Sequence, residues 1–379
     1  MQTAETARRR KGNQVLFLAL ELGRREWTLG FATGIGKRPR ERTVVAGDAA
    51  GLEAEIVRAK RRFGHRDSAE VVSCYEAGRD GFWIHRFLES IGVQNHVVDS
   101  SSIEVNRRRR RRKTDRLDLE SLLRLLMRFW AGERRVWSVV RVPSPEAEDA
   151  RQLHRELQTL KRDRTRVTNR IKALLATQGI LQVELGPGFE TELDRIVLWD
   201  GLAVPDQTRN RLRREWAKVQ GLTRQICQVQ AERRVLLRTS TDPAVAKVRQ
   251  LHELCGIGIN SAWLYVMEFF GWREFRNRRE VGALAGLTPT PHQSGDLDQE
   301  RGIDKAGNRY VRAMAIEIAW CWLRFQPESA LTRWYEARFA HGSSRLRRIG
   351  IVAVARKLLI ELWRYLETGA LPDGAVTRA

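Results

Sequence analysis

The chain has 379 residues and carries 68 Lys and Arg against 46 Asp and Glu, a formal charge of +22. That length allows two or three domains with a substantial core, and a surface so positive repels itself unless polyanions are near, so nucleic acid is the default partner. Cys74, Cys227, Cys255 and Cys321 form no C-x-x-C pair, and the N-terminal apolar run is cut short by Glu21. This excludes a disulfide framework, a zinc ribbon, a signal peptide and an N-terminal membrane span, and predicts a soluble, cytoplasmic protein without membrane association.

From Gln14 to about Ala131, short β-rich runs alternate with helical ones. VLFLALELG, EWTLGFATG and RTVVAG read as three successive strands, and LEAEIVRAKRRFG has helical spacing. AEVVSCYEAG is a fourth strand, DGFWIHRFLESIG a second helix, QNHVVDSSS a fifth strand and KTDRLDLESLLRLLMRFWAG a third helix. The order βββαβαβα predicts a ribonuclease-H-like α/β fold, with a mixed, twisted sheet covered by helices, over residues 14–132.

Residues 145–241 change character to long, charged helix. Ala150, Leu157, Arg164 and Ile171 recur every seven residues, with Leu153, Leu160, Val167 and Leu174 between them, which predicts a coiled-coil arm with one polar interruption. Leu212, Trp216, Val219, Ile226 and Val229 lie on a second, less regular stripe, consistent with an antiparallel return helix. Residues 242–370 read as a compact, mainly helical domain. Its opening, LHELCGIGINSAWLYVMEFFG, sets Gly256 and Gly258 between two apolar helical stretches, the form of a helix-hairpin-helix that offers backbone N–H groups to a phosphate.

Asp115 and Asp118 are i, i+3 neighbours at a helix start, where the dipole keeps carboxylates ionised and fit to ligate a hard divalent cation. First-turn acidic residues are common helix stabilisers, so the pair alone is a weak signal. Glu21, late in the first strand, and Glu76, after the fourth, strengthen it, because a ribonuclease-H-like sheet sets those strands side by side with the last helix next to them. Four carboxylates in one place need Mg²⁺ or Mn²⁺, and a metal pair is the usual device of phosphodiester chemistry. The six arginines Arg107, Arg108, Arg109, Arg110, Arg111 and Arg112, with Lys113, precede Asp115 directly. They would hold a phosphate backbone against an acidic cluster that repels it, although a run of this kind is also compatible with a solvated loop or a localisation tract.

The stretch from CYEAGRDGFW to RRRRRRKTDRLD resembles the N-terminal RuvC-like domain of the DEDD transposases of the one-hundred-and-ten insertion-sequence family, relatives of the Piv DNA invertase. LCGIGINSAWLYVMEFFG and its continuation through HQSGDLDQERGIDKAGNRY to AMAIEIAW resemble that family's C-terminal transposase domain, and the likeness spans about residues 15 to 370 in motif order. The resemblance implies a bacterial serine recombinase. The acidic tetrad Glu21, Glu76, Asp115 and Asp118 would act with Ser294, the nucleophile of a phosphoserine intermediate, under guidance of a bridge RNA pairing with donor and target DNA. Lys305, Arg309 and Arg312 are expected phosphate contacts. The coiled coil predicts a homodimer, and synapsis of two DNA partners a tetramer, with tetrad and serine drawn from different protomers. In ALELG the family's usual first Asp is replaced by Glu21. Two rival readings stay open: a metal nuclease or junction resolvase without a covalent step, and a non-catalytic nucleic-acid-binding protein.

Overall fold

A computed structural model describes residues 15–104, 115–294 and 297–378, without the side chains of 115–117, 291–294 and 297–301. The chain divides into two compact units, one reaching to Val142 and one from Pro143 onward.

The first unit is mixed α/β. Strands β1 (Val15–Leu22), β2 (Glu26–Ala32) and β3 (Arg40–Val45) lead to helix α1 (Ala49–Arg62); β4 (Glu70–Glu76), α2 (Trp83–Ser90), β5 (Val93–Val98) and α3 (Asp115–Trp130) follow. The sheet order is β3-β2-β1-β4-β5, with β1–β2 and β2–β3 antiparallel and β1–β4 and β4–β5 parallel. Element order and strand order are those anticipated for a ribonuclease-H-like sheet, with β1 beside β4.

Side-chain alternation splits the two faces of this sheet. Leu16, Leu18, Leu20, Val71 and Tyr75 pack toward α1 and α2, while Phe17, Ala19, Val72 and Cys74 pack toward α3 through Leu119, Leu122, Leu123 and Leu126. At roughly 1.5–3 kcal/mol per large apolar side chain buried, those leucines decide where the helix lies. Small residues set how closely it lies. A Cβ on Gly30 would come within 2.8 Å of Leu123 and 2.9 Å of Leu119, so only glycine keeps α3 at this depth over β2.

The second unit is helical apart from one hairpin of strands. After α4 (Pro145–Asp149), the long helices α5 (Gln152–Ala176) and α7 (Asp206–Thr239) form an antiparallel pair, with α6 (Phe189–Leu193) between them. Ile171 and Leu175 pack with Leu212 and Trp216, whereas Leu157 packs with Ile226 and Val229. The predicted apolar stripe is therefore buried within one chain, against its own return helix. A two-chain coiled coil is not confirmed, and the inference of a homodimer loses the ground it had in that seam.

Next come α8 (Pro243–Glu253), α9 (Ile259–Tyr265) running into a π-helical turn (Val266–Phe270), and α10 (Arg278–Leu284). The strands β6 (Pro289–Ser294) and β7 (Leu297–Ile303) follow, then α11 (Arg309–Phe325), α12 (Ala330–Tyr335) with a second π turn (Glu336–Ala340), and α13 (Ser344–Thr368). The antiparallel β6–β7 pair is the departure from helix in a region expected to be mainly helical. Among the described residues no helix is long and apolar enough to cross a membrane.

Candidate active site

Two sets of predicted residues fall on very different supports, one on the sheet and one on the hairpin. On the sheet, Leu20 pairs with Tyr75 in parallel register, and Glu21 and Glu76 are the next residues of their strands. Two-residue alternation puts Glu21 in phase with Ala19 and Phe17, and Glu76 in phase with Cys74 and Val72, which is the face covered by α3. Both carboxylates are half-buried.

The direction of α3 then fixes which of its ends meets them. Trp130, at its C-terminal end, meets Phe17 with ring centroids 6.5 Å apart, and the Leu122 carbonyl lies 4.0 Å from the Cys74 sulfur. Following β1 from Phe17 through Ala19 to Glu21 thus follows α3 backward from Trp130 to its first turn, where Asp118 is half-buried and Asp115 opens the helix. The side chain of Asp115 lies outside the described residues, as does the whole run Arg107–Lys113. Among the described residues no three His, Cys, Asp or Glu side chains are grouped as a bound metal would need. The fold brings Glu21, Glu76 and the start of α3 to one end of one face, and carboxylate oxygens are the donors that a hard cation takes.

The floor beneath this cluster is apolar. Burial, and then the charge of Glu76, push the Cys74 thiol far up, so it stays protonated. One residue at this end escaped the sequence reading. Arg79 donates to the Gly23 carbonyl at 3.4 Å and pairs with Asp80 at 3.2 Å, tying the loop after β4 to the turn after β1. Its signal lay in the quoted CYEAGRD, where a cation follows Glu76 by three residues.

Ser294 is the last residue of β6 and pairs with Leu297. It therefore stands at the tip of a strand hairpin and not in an isolated turn. The root of that hairpin is clamped by backbone: Asp304 N–H donates to Thr288 O at 2.9 Å and Asn308 N–H to Leu284 O at 3.0 Å. Gly286 and Gly307 hold positive φ there, and a Cβ on Gly307 would sit 2.2 Å from the Leu284 carbonyl oxygen. Lys305, at φ 62°, is the one non-glycine residue in the left-handed region among the described residues.

The predicted phosphate contacts separate here. Arg312 donates to the Lys305 carbonyl at 2.8 Å and so supports the loop. Arg309 and Lys305 are exposed, and Arg309 donates to the Tyr310 hydroxyl at 3.2 Å, which holds that phenol below its usual range. Gly256 and Gly258 do turn the chain between α8 and α9. A Cβ on Gly256, however, would meet the Cys321 carbonyl and Phe325 at 3.4 Å, so this glycine serves packing on α11, and a phosphate-binding helix-hairpin-helix is not confirmed.

The root of the hairpin also rests on an ion pair with a buried carboxylate that no sequence pattern announced. Glu268, on the π turn and fully buried, accepts two bonds from Arg155 of α5, at 2.7 and 3.0 Å, and one from the Asn308 side chain at 3.2 Å. Asn308 in turn caps α11, accepting from the N–H groups of Tyr310 and Val311. Burial alone would raise the Glu268 carboxyl, but Arg155 and Asn308 outweigh it and hold the group below its ordinary value. Nearby, burial pushes His154 down to about 4 and Arg233 down to about 10. Arg233 bonds Asn260 and the Ile259 carbonyl and stacks on Trp263 at 4.6 Å.

Comparisons with known proteins give two family matches along the chain. A DEDD transposase model of the IS110 type matches residues 24–178, and the model described as Transposase IS116/IS110/IS902 family matches residues 248–336. The first match begins three residues after Glu21. A Sinorhizobium fredii protein carrying a transposase name, y4rJ, is 40% identical over 96% of this chain and 94% of its own length. The transposase for insertion sequence element IS1111A of Coxiella burnetii is 22% identical over 65% of this chain and 64% of its own. A family defined by its acidic residues conflicts with the serine-recombinase class name, which is withdrawn on that ground. With a sheet of the expected order, carboxylates at one end of it, and near full-length identity to y4rJ, the chain belongs to the IS110 family of DEDD transposases, enzymes that act on DNA.

Proposed function

We propose that this transposase cuts and rejoins DNA strands with the acidic tetrad Glu21, Glu76, Asp115 and Asp118 and a serine nucleophile, Ser294. The observation that carries the metal half is the register of β1 and β4, which puts Glu21 and Glu76 side by side on the face that α3 covers. Membership in the DEDD family implies a divalent metal, and the all-carboxylate donor set fits Mg²⁺ or Mn²⁺. When bound, such an ion supplies Lewis acidity at phosphate oxygens.

In the proposed reaction the Ser294 hydroxyl oxygen attacks phosphorus, its proton passing to solvent. The bond from phosphorus to one deoxyribose oxygen breaks, that oxygen leaves as a hydroxyl, and the strand remains as a phosphoserine ester. Attack by another strand's hydroxyl on this ester releases serine and completes the exchange. The hairpin rooted by Gly286 and Gly307 carries Ser294 at the end of β6, which supports the role. Exposed Lys305 and Arg309, at the root of the hairpin, are proposed phosphate contacts, and Arg107 to Lys113 a second set. Guidance by a bridge RNA draws support from the +22 charge and the family resemblance, and assembly as a dimer or tetramer from the need to hold two DNA partners.

The test is end-labelled donor and target DNA with Mg²⁺, co-expressed element RNA and denaturing protein electrophoresis. Label retained on the protein, and lost in Ser294→Ala, is the expected result. Metal-dependent cutting that persists unchanged in Ser294→Ala with no adduct would establish the nuclease reading instead.

A further inference from the structure

Helix α13 is amphipathic only from Gly350 onward. Ile351, Val354, Ala355, Leu358, Leu359 and Leu362 are buried, whereas every residue from Ser344 to Ile349 is exposed. A helix turns about 100° per residue, so six exposed residues in succession leave this segment, at the start of α13, more open than the rest of the helix.

Arg345, Arg347 and Arg348 occupy that start, with no carboxylate in the first turn and no side-chain partner for any of the three among the described residues. Cations near a helix N-terminus oppose the macrodipole and each other. The arrangement costs stability unless an anion covers it. Beside it, on α11, Trp320 is 49% exposed. Trp320, Tyr335, Ala340, Ser344, Arg347 and Arg348 line one open groove of about 310 Å³. A single exposed indole is ordinary, but one that shares a groove with unpaired guanidinium groups offers a stacking surface and phosphate contacts together.

We infer that this groove binds an unpaired DNA strand, with one base stacked on Trp320 and backbone phosphates on Arg347 and Arg348. A duplex hides the faces of its bases, so an exposed indole selects for a strand that is not paired. DNA is chosen over RNA because the family acts on DNA. The inference rests on that membership and not on Ser294.

The experiment titrates fluorescein-labelled oligothymidylate, and a blunt duplex of equal length, with the full chain in EDTA and measures anisotropy across a KCl series. Trp320→Ala is expected to weaken single-strand binding about tenfold and leave duplex binding within about twofold; Trp320→Phe should recover most of the loss. Arg347→Ala with Arg348→Ala should lower the slope of log K against log salt by about 1.4 on the single strand. Equal losses on single strand and duplex, or no loss, would overturn the inference. A loss confined to oligouridylate would overturn it in favour of RNA. The arginine pair lies on the helix surface, so its salt slope decides the matter even where a Trp320 variant folds poorly. Binding is read in EDTA, where no strand transfer occurs, which separates failure of the groove from failure of the serine chemistry.

Discussion

The two candidate chemistries rest on opposite kinds of support. The carboxylates of the first unit extend rows of core residues: Glu21 continues Phe17 and Ala19, Glu76 continues Val72 and Cys74, and Asp118 precedes the leucine stripe of α3. Ser294 lies on a two-stranded hairpin instead. It stands at the tip of β6–β7, and its place is set at the far root, by backbone bonds among Leu284, Thr288, Asp304 and Asn308 and by the Glu268–Arg155 pair behind them. A site built on core periodicity tolerates loss of its functional side chains, because the core does not need them. One held by a few polar bonds at its root couples function to local stability.

The largest effect expected from this contrast is on the sheet. Glu76→Ala should lower DNA strand transfer about a thousand-fold, several kcal/mol of transition-state stabilisation, while the midpoint of thermal unfolding stays within a few degrees. A variant that retains transfer would remove Glu76 from the site, and one that unfolds would break the distinction between the two supports.

Next comes the root of the hairpin. Arg155→Ala leaves a fully buried carboxylate without its main partner and should cost about 2–3 kcal/mol, a value toward the low end for buried pairs because the Arg155 side chain is itself 42% exposed. Chemical unfolding measures it. Replacing both partners, as Arg155→Leu with Glu268→Met, should recover much of the loss, and Ser294 adduct formation should follow stability across the series.

His154 sharpens the same point through pH. Its folded value, about 4, lies below the ordinary 6.5, so the unfolded chain binds the proton more tightly. Its contribution is complete above pH 6.5 and is lost progressively as pH falls toward 4, by about 3 kcal/mol in all. Urea unfolding at several pH values should show that slope in the parent and a shallower one in His154→Gln. The smallest effect is expected from Gly307→Ala, about 1–2 kcal/mol from a positive φ and a backbone clash, with adduct formation reduced more than the unfolding midpoint suggests.

The first unit was nearly all legible in the sequence, because strand alternation and helix spacing both report burial, and burial is what places its carboxylates. Even the adjacency of Glu21 and Glu76 followed from strand order. The second unit was legible where it is amphipathic, as in α5 and α7, and misleading where it is not. PTPHQS has two prolines and little β-branching, so nothing announced a strand at Ser294. The seam of α5 was read as a contact between chains, since a stripe of leucines states only that it must be covered and not by whom. Glu268, in an apolar run, finds its partner 113 residues away in Arg155, a pairing that only the tertiary structure supplies.

The π turn that carries Glu268 holds one residue more than an α-helix would need, with Gly271 N–H bonded back to the Val266 carbonyl at 2.7 Å. Its consequence is local. Five residues of a π turn sweep about the same angle as four of an α-helix, so a relative lacking a single residue between Tyr265 and Gly271 would continue as plain α-helix with the chain beyond kept in phase and the change confined to the turn itself. Gaps aligned in this short stretch therefore mark a change in which side chain faces Arg155 and Asn308, so identity at Glu268 carries meaning only among chains that keep the extra residue.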